Sequence, residues 1–225
     1  MEDFQNKISF RINENVYLKD PLSSDLGKKM IRASIDLIEE LGFDDFTFKK
    51  LANQIASTEA SIYRYFENKH NLLAYLVMWY WRWIEYRLIM RTMNIESPET
   101  RLQNCMQVLT EVVAEDMTVS QVNEVKLQAI VIEESSKVYL NKKVADDNRH
   151  GFFLPYKDVV ERVANIISEM RPEFKYPHML VSTIIEGAHH QRFFTTHLPK
   201  LTNIVDGEDA ISTFYGKLTH KILEK

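Results

Sequence analysis

One cysteine in 225 residues, Cys105, leaves no partner for an internal disulfide and no Cys-x-x-Cys pair for a metal or redox centre. Six glycines and six prolines are few for a sandwich or barrel, whose many turns consume both. A membrane-spanning helix needs about 20 apolar residues, and the most apolar run, residues 72–81, ends at Arg82. The N-terminus, MEDFQNKISF, lacks the basic start and apolar run of a secretion signal. An excess of positive charge is missing too: the formal net charge is −4, so composition does not announce a nucleic-acid partner. There is no Gly-rich phosphate loop and no Ser-centred elbow, and Cys105 has no His or carboxylate at helical spacing to activate it. These absences lead to the expectation of a soluble, cytoplasmic, helical protein that is not an enzyme and carries no cofactor.

What is present is helical periodicity, with 45 % hydrophobic and 27 % charged residues. The most informative stretch is residues 47–73, TFKKLANQIASTEASIYRYFENKHNLL. Thr47 can cap a short helix with Phe48, Leu51, Ala52 and Ile55 on one face. Ala56-Ser57-Thr58 makes a joint, and Thr58 can cap a second helix bearing Ile62, Tyr63 and Phe66. Asn68 caps a third. Two short helices on a tight turn have the geometry of a helix-turn-helix, whose second helix enters the DNA major groove. Local charge is mildly positive, with Lys49, Lys50, Arg64 and Lys69 against Glu59 and Glu67.

Residues 26–76 also resemble the DNA-binding domain of the tetracycline-repressor (TetR) family of bacterial transcription regulators. The resemblance lies in Ile31, Ala33 and Leu37, then Gly42-Phe43, Phe46-Thr47, Leu51-Ala52, Thr58, Ile62-Tyr63, Tyr65-Phe66, Lys69 and Leu72-Leu73, in order and at the family's spacing. The departures are Ala56 and Ser57, where the family usually has Gly and a small aliphatic residue. The resemblance implies a homodimer on a pseudo-palindromic double-stranded operator, released by a small-molecule effector. It places Glu59, Ala60, Ser61 and Arg64 of the second helix at base edges or phosphates. Tyr63 and Tyr65 would offer hydroxyls to phosphate, and Thr47, Lys49, Thr58 and Lys69 would complete the DNA-binding set.

The expected fold is all-α: an N-terminal arm (residues 1–24), a three-helix helix-turn-helix domain (25–75) and a larger ligand-binding and dimerisation domain (76–225), about nine helices in all. In the arm, Ile8, Phe10 and Ile12 alternate with polar residues, and Lys7 and Arg11 could reach a minor groove. The first helix shows Ile31, Ile35 and Ile38 and stops at Gly42. A long helix from Lys69 carries the stripe Leu73, Val77, Tyr80, Ile84 and Leu88 and joins the two halves. Helices are expected over residues 99–117, 119–140, 156–170, 178–196 and 207–223.

Trp83 and Tyr86 are candidate effector-pocket residues because aromatic rings can line a ligand cavity, and Met106, Leu109, Gln128 and Tyr156 on helices of the C-terminal half are further candidates. Ile184, Ala188 and Phe193 on the penultimate helix, with Ile211, Phe214, Leu218 and Ile222 on the last, are candidates for the dimer interface. Glu186-x-x-His189 has the spacing of a di-metal bundle ligand pair, which gives the alternative of a helical-bundle metal enzyme. The second Glu-x-x-His, Glu67 to His70, falls in the head rather than on a facing helix, so no metal site is expected. A further alternative is a TetR-like binding protein without a DNA function.

Overall fold

The computed structural model describes residues 10–114 and 122–224, and every regular element among them is helical. Eleven α-helices are present: α1 Asp25–Asp45, α2 Phe48–Gln54, α3 Glu59–Tyr63, α4 Lys69–Thr92, α5 Pro98–Thr110, α6 Glu124–Glu134, α7 Ser136–Tyr139, α8 Val144–Arg149, α9 Leu154–Met170, α10 Pro177–His197 and α11 Ala210–Leu223. Two exceed the expected number because residues 119–140 break at Ser135 and the polar loop after Leu140 makes a turn and a half of helix. The fifth helix stops at Thr110, where Glu111 is extended. The continuation expected to residue 117, and the start expected at 119, lie outside the described residues. None of these helices is long and apolar enough to cross a membrane.

Each boundary has a local cause. Ser24 caps α1 by accepting from the Gly27 amide, and Gly42 ends its regular part at φ 75°, a left-handed conformation that glycine adopts without steric cost. The amide of Phe46 then closes onto Gly42 O. Asn68 caps α4 through the Asn71 amide. Asn94, at φ 60°, turns the chain out of it. Ser97 with Pro98 starts α5, and Asp209 starts α11 by accepting from Ser212.

The described chain forms two compact units: residues 10–80 with 113–154, and residues 81–112 with 155–224. The division falls within α4. Residues 113–154, assigned by sequence to the C-terminal domain, therefore pack with the N-terminal helices. The reason is polar as well as apolar. Lys126 of α6 reaches Asp36 at 2.7 Å, while Glu134 at the other end accepts from the Phe43 amide at 2.8 Å. Lys137 pairs with both Glu134 and Asp44 at 2.8 Å.

In this first unit all of residues 72–80 are buried, so this part of α4 is apolar all round rather than on a stripe. Among its described residues, 10–24, the arm forms no strand. Ile12 and Val16 are buried, the side-chain amides of Asn13 and Asn15 donate to His150 O, and the Leu18 backbone amide donates to Tyr65 O. A Cβ on Gly27 would lie 2.1 Å from Pro21 O, so the glycine is what lets the arm close on α1. Of the arm's candidate groove contacts, Lys7 lies outside the described residues, and Arg11 is exposed and paired with Glu14.

In the second unit α10 and α11 pack on α5. Gly187 makes the room: a Cβ there would stand 2.2 Å from the Tyr215 hydroxyl. Arg192 ties Thr110 O to Asp209, and the guanidinium, with the Ser212 bonds, holds the Asp209 carboxyl below its ordinary range against the opposing effect of burial. Arg82 bridges Glu85 and Asp158 across α4 and α9.

Candidate nucleic-acid interface

α2 and α3 meet through a turn at residues 55–58 whose backbone closes on itself. The Ser57 amide reaches Ala52 O at 2.9 Å and the Ala56 amide reaches Asn53 O at 3.2 Å. Thr47 and Thr58 cap the two helices, each hydroxyl accepting from the amide three residues on at 3.2 Å. Phe48, Leu51, Ala52, Ile55, Ile62 and Phe66 are buried and fix the pair to the unit's core.

Ala56 sits at φ 51°, the left-handed region, in the place where the resembling family usually has glycine. An L-residue there costs about 1–2 kcal/mol, partly offset by the roughly 0.5–1 kcal/mol of chain entropy that glycine would lose on folding. Ala56→Gly is therefore expected to stabilise the protein by about 1 kcal/mol. An increase in the urea midpoint at unchanged slope checks it; a decrease would show that the turn holds no such strain.

The outward front of the pair carries Thr47, Lys49, Thr58, Glu59, Ala60 and Arg64, all exposed, with Ser61 half-buried and hydrogen bonded to Thr58 Oγ1 at 3.0 Å. The Tyr63 ring packs edge-on against Phe48 with centroids 5.0 Å apart, leaving the residue 50 % exposed.

Two members of the candidate set are committed elsewhere. Tyr65 is 3 % exposed, its hydroxyl is 2.7 Å from Ser24 Oγ, and Lys19 covers its ring; it is part of the core and holds the start of α1. Lys69 donates to Phe43 O, Asp44 O and Phe46 O at 2.9–3.1 Å, so its ammonium caps the end of α1 rather than facing a phosphate. A lysine at a helix start looks the same in sequence whether it points inward or outward.

The six effector-pocket candidates fall on both units, Gln128 on the first and the other five on the second. Trp83 is buried, with the Arg87 guanidinium 4.9 Å from its ring centroid, and Tyr86 and Leu109 lie on α4 and α5. Gln128 belongs to the first unit and accepts from the Val113 amide. Tyr156 stacks on Trp81 at 4.3 Å and donates to Glu186 at 2.9 Å. Only Met106 borders the large groove of the second unit.

The dimer candidates separate by burial. Ile184, Ala188 and Ile211 are buried within the chain by the α10–α11–α5 packing, which removes them from any surface. Phe214, Leu218 and Ile222 remain as an open stripe on α11, and Phe193 is half-buried against His197.

Glu186 is engaged by Tyr156, and His189 lies against Trp81 with centroids 5.9 Å apart. No group of three or more His, Cys, Asp or Glu converges on a point among the described residues, which leaves the metal-enzyme alternative without a ligand set there. Burial pushes the Cys105 thiol up to about 12, away from any nucleophilic role.

Residues 30–76 match the family described as "Bacterial regulatory proteins, tetR family". Among solved structures, the chain is similar to AibR in complex with isovaleryl coenzyme A and operator DNA, at 14 % identity and TM-score 0.55, covering 87 % of this chain and 97 % of that one. It is similar to the fatty acid degradation regulator FadR from Bacillus halodurans at 16 % identity and TM-score 0.59, covering 87 % and 92 %. The superantigen PfiT shares the fold at 15 % identity and TM-score 0.58, covering 91 % and 96 %. No curated protein sequence matches the chain significantly. At these identities the structural likeness speaks for the fold.

Proposed function

We propose, from the match of residues 30–76 to the tetR family of bacterial regulatory proteins, that the chain is a ligand-responsive DNA-binding repressor acting as a homodimer. The observation that carries this reading is the exposed front of α2 and α3, with Thr47, Lys49, Thr58, Glu59, Ala60, Ser61, Tyr63 and Arg64 held outward by a rigid apolar back. α3 enters the major groove. Arg64 reads a guanine through O6 and N7, Glu59 and Ala60 meet neighbouring base edges, and Thr47, Lys49 and Tyr63 hold phosphates. The open stripe Phe214, Leu218 and Ile222 meets its equivalent in a second copy, which places two recognition helices about 34 Å apart on a pseudo-palindromic operator.

Repression is relieved by a population shift. The effector binds the conformer with misplaced heads more tightly than the DNA-binding conformer, and without that difference in affinity nothing would shift. AibR's complex with isovaleryl coenzyme A and operator DNA supports this reading, since on that protein the same fold engages both kinds of partner. The regulator is read as cytoplasmic, where its DNA is, and it needs no catalytic step and no cofactor.

Selection of bound sequences from random duplexes, followed by gel retardation, tests the proposal. The expected result is a salt-sensitive, sequence-selective complex on a two-fold site. Arg64→Ala should weaken it about 30-fold per half-site, since one good bidentate base contact is worth about 2 kcal/mol, and should relax selectivity at one base pair of each half. An unchanged binding profile would show that Arg64 does not read a base. Failure to select any site with folded protein would favour a binding protein on the same scaffold without DNA contact.

A further inference from the structure

The second unit holds an open groove of about 930 Å³ between α5, the C-terminal end of α9 and α11. Its floor is apolar and adaptable: Leu102, Met106 and Leu223 are buried along it, and Met170 borders it. Charged residues of both signs line it, Arg171, Lys217 and Lys221 against Glu99 and Glu224, and Arg171 is paired with Glu173 at 3.7 Å. Glu224 is already taken up by Lys221 at 2.6 Å and His220 at 3.0 Å. Lys217 is exposed and has no ion-pair partner among the described residues.

Gly216 is the second, independent feature. It sits mid-way along α11, where glycine costs about 1 kcal/mol relative to alanine. The chain's own packing gives no reason for it. A Cβ at 187 would collide with Tyr215, but a Cβ at 216 would meet nothing within 4 Å, and Gly216 borders the groove. Two residues from both Phe214 and Leu218, it lies about 200° round the helix from them, so the stripe offered to a second copy faces another way. What the missing side chain leaves room for is a molecule lying against the helix backbone.

We propose that this groove binds an amphipathic anion, a carboxylate on a flexible apolar chain. The chain lies along Gly216 over Met106 and Leu223, and the carboxylate meets Lys217. An apolar floor without convergent polar groups selects the tail, and Lys217, the lining cation without an ion-pair partner among the described residues, selects the sign of the head. The inference deepens the regulatory reading and rests on it for the consequence at the operator, although binding itself stands apart.

Calorimetric titration of the full chain with dodecanoate tests it. Dodecanoate is expected to bind with a Kd of about 10 μM, and dodecyltrimethylammonium at least about tenfold more weakly, the discrimination of a single favourable charge contact. Gly216→Leu should lose about tenfold or more and Lys217→Glu about fivefold. Gly216→Ala should melt no lower than the wild type, showing that the site tolerates a side chain as far as folding is concerned. Absence of dodecanoate binding by folded protein, or equal affinity in Gly216→Leu and Lys217→Glu, overturns the proposal. A change of oligomeric mass in Gly216→Leu with dodecanoate affinity unaltered would give the groove to a second copy and also overturns it. Gel retardation on the selected operator separates the two readings. Dodecanoate that binds but leaves retardation unchanged supports the site and overturns its effector role. Operator binding by a protein that takes up no dodecanoate overturns the site and leaves the regulator standing.

Discussion

Replacing Glu134 with alanine is expected to destabilise the first unit by about 3 kcal/mol, because it orphans a buried amide and breaks a largely buried ion pair. The side chain is 10 % exposed and accepts from the Phe43 amide at 2.8 Å, directly after the kink at Gly42, where the helix can no longer satisfy that donor. Its other oxygen pairs with Lys137, which is 34 % exposed and keeps Asp44 as a partner, so the charge lost is only partly uncompensated. Glu134→Gln retains an acceptor for Phe43 and should lose about 1 kcal/mol, the worth of an ordinary hydrogen bond or partly exposed pair. Urea unfolding combined with hydrogen exchange at the Phe43 amide checks this. Equal midpoints for wild type and Glu134→Ala, with Phe43 still protected, would remove Glu134 from this role. The joint precedes Thr47 by only a few residues, so the same bond fixes where α2 begins.

The second expected result concerns acid. Burial pushes the His189 imidazole down to about 4 from its ordinary 6.5, with the neighbouring His190 and Arg192 adding in the same direction. The folded protein therefore holds this ring neutral, while the unfolded chain protonates it near 6.5. The stabilisation is fully present above pH 6.5 and drains away as pH falls toward 4, amounting to about 3 kcal/mol at 1.36 kcal/mol for each unit of difference. His189→Phe, which keeps a flat ring against Trp81, should flatten the decline of Tm between pH 6.5 and 4.5. Parallel declines in the two proteins would show that other groups carry the acid sensitivity.

Much of the fold is legible in the sequence because its signals are local. Thr47, Thr58, Asn68 and Ser97 cap helices where their side chains can accept, and Gly42 ends α1 where a positive φ is needed. The long helix from Lys69 was legible too, although its stripe understated the burial of residues 72–81, which are enclosed on all sides. Ala56 shows the same logic from the other direction: the position demands a left-handed residue, and this chain meets the demand without glycine. The candidate interface was legible to the extent that exposure follows from periodicity, which holds for Glu59, Ala60 and Arg64.

Where it failed, the deciding contact came from far away in the chain. Tyr65 is withdrawn by Ser24 and Lys19, and Lys69 by carbonyls of residues 43–46. Glu134 and Lys137 stand at an i, i+3 spacing that carries no sign of burial, and only the return of α6 onto α1 buries Glu134. The apolar positions of α10 and α11 form stripes that serve the chain's own core or a partner equally well, and tertiary packing assigns Ile184, Ala188 and Ile211 to the first use.

The sequence by itself therefore determined an all-helical chain with a helix-turn-helix near its start, because capping, glycine geometry and helical periodicity act over a few residues. Only the tertiary structure decided which polar side chains stay on the surface, that residues 113–154 pack with the head, and that Gly216 opens onto a groove. Those outcomes depend on which distant segment arrives at a given face, and no local pattern carries that information.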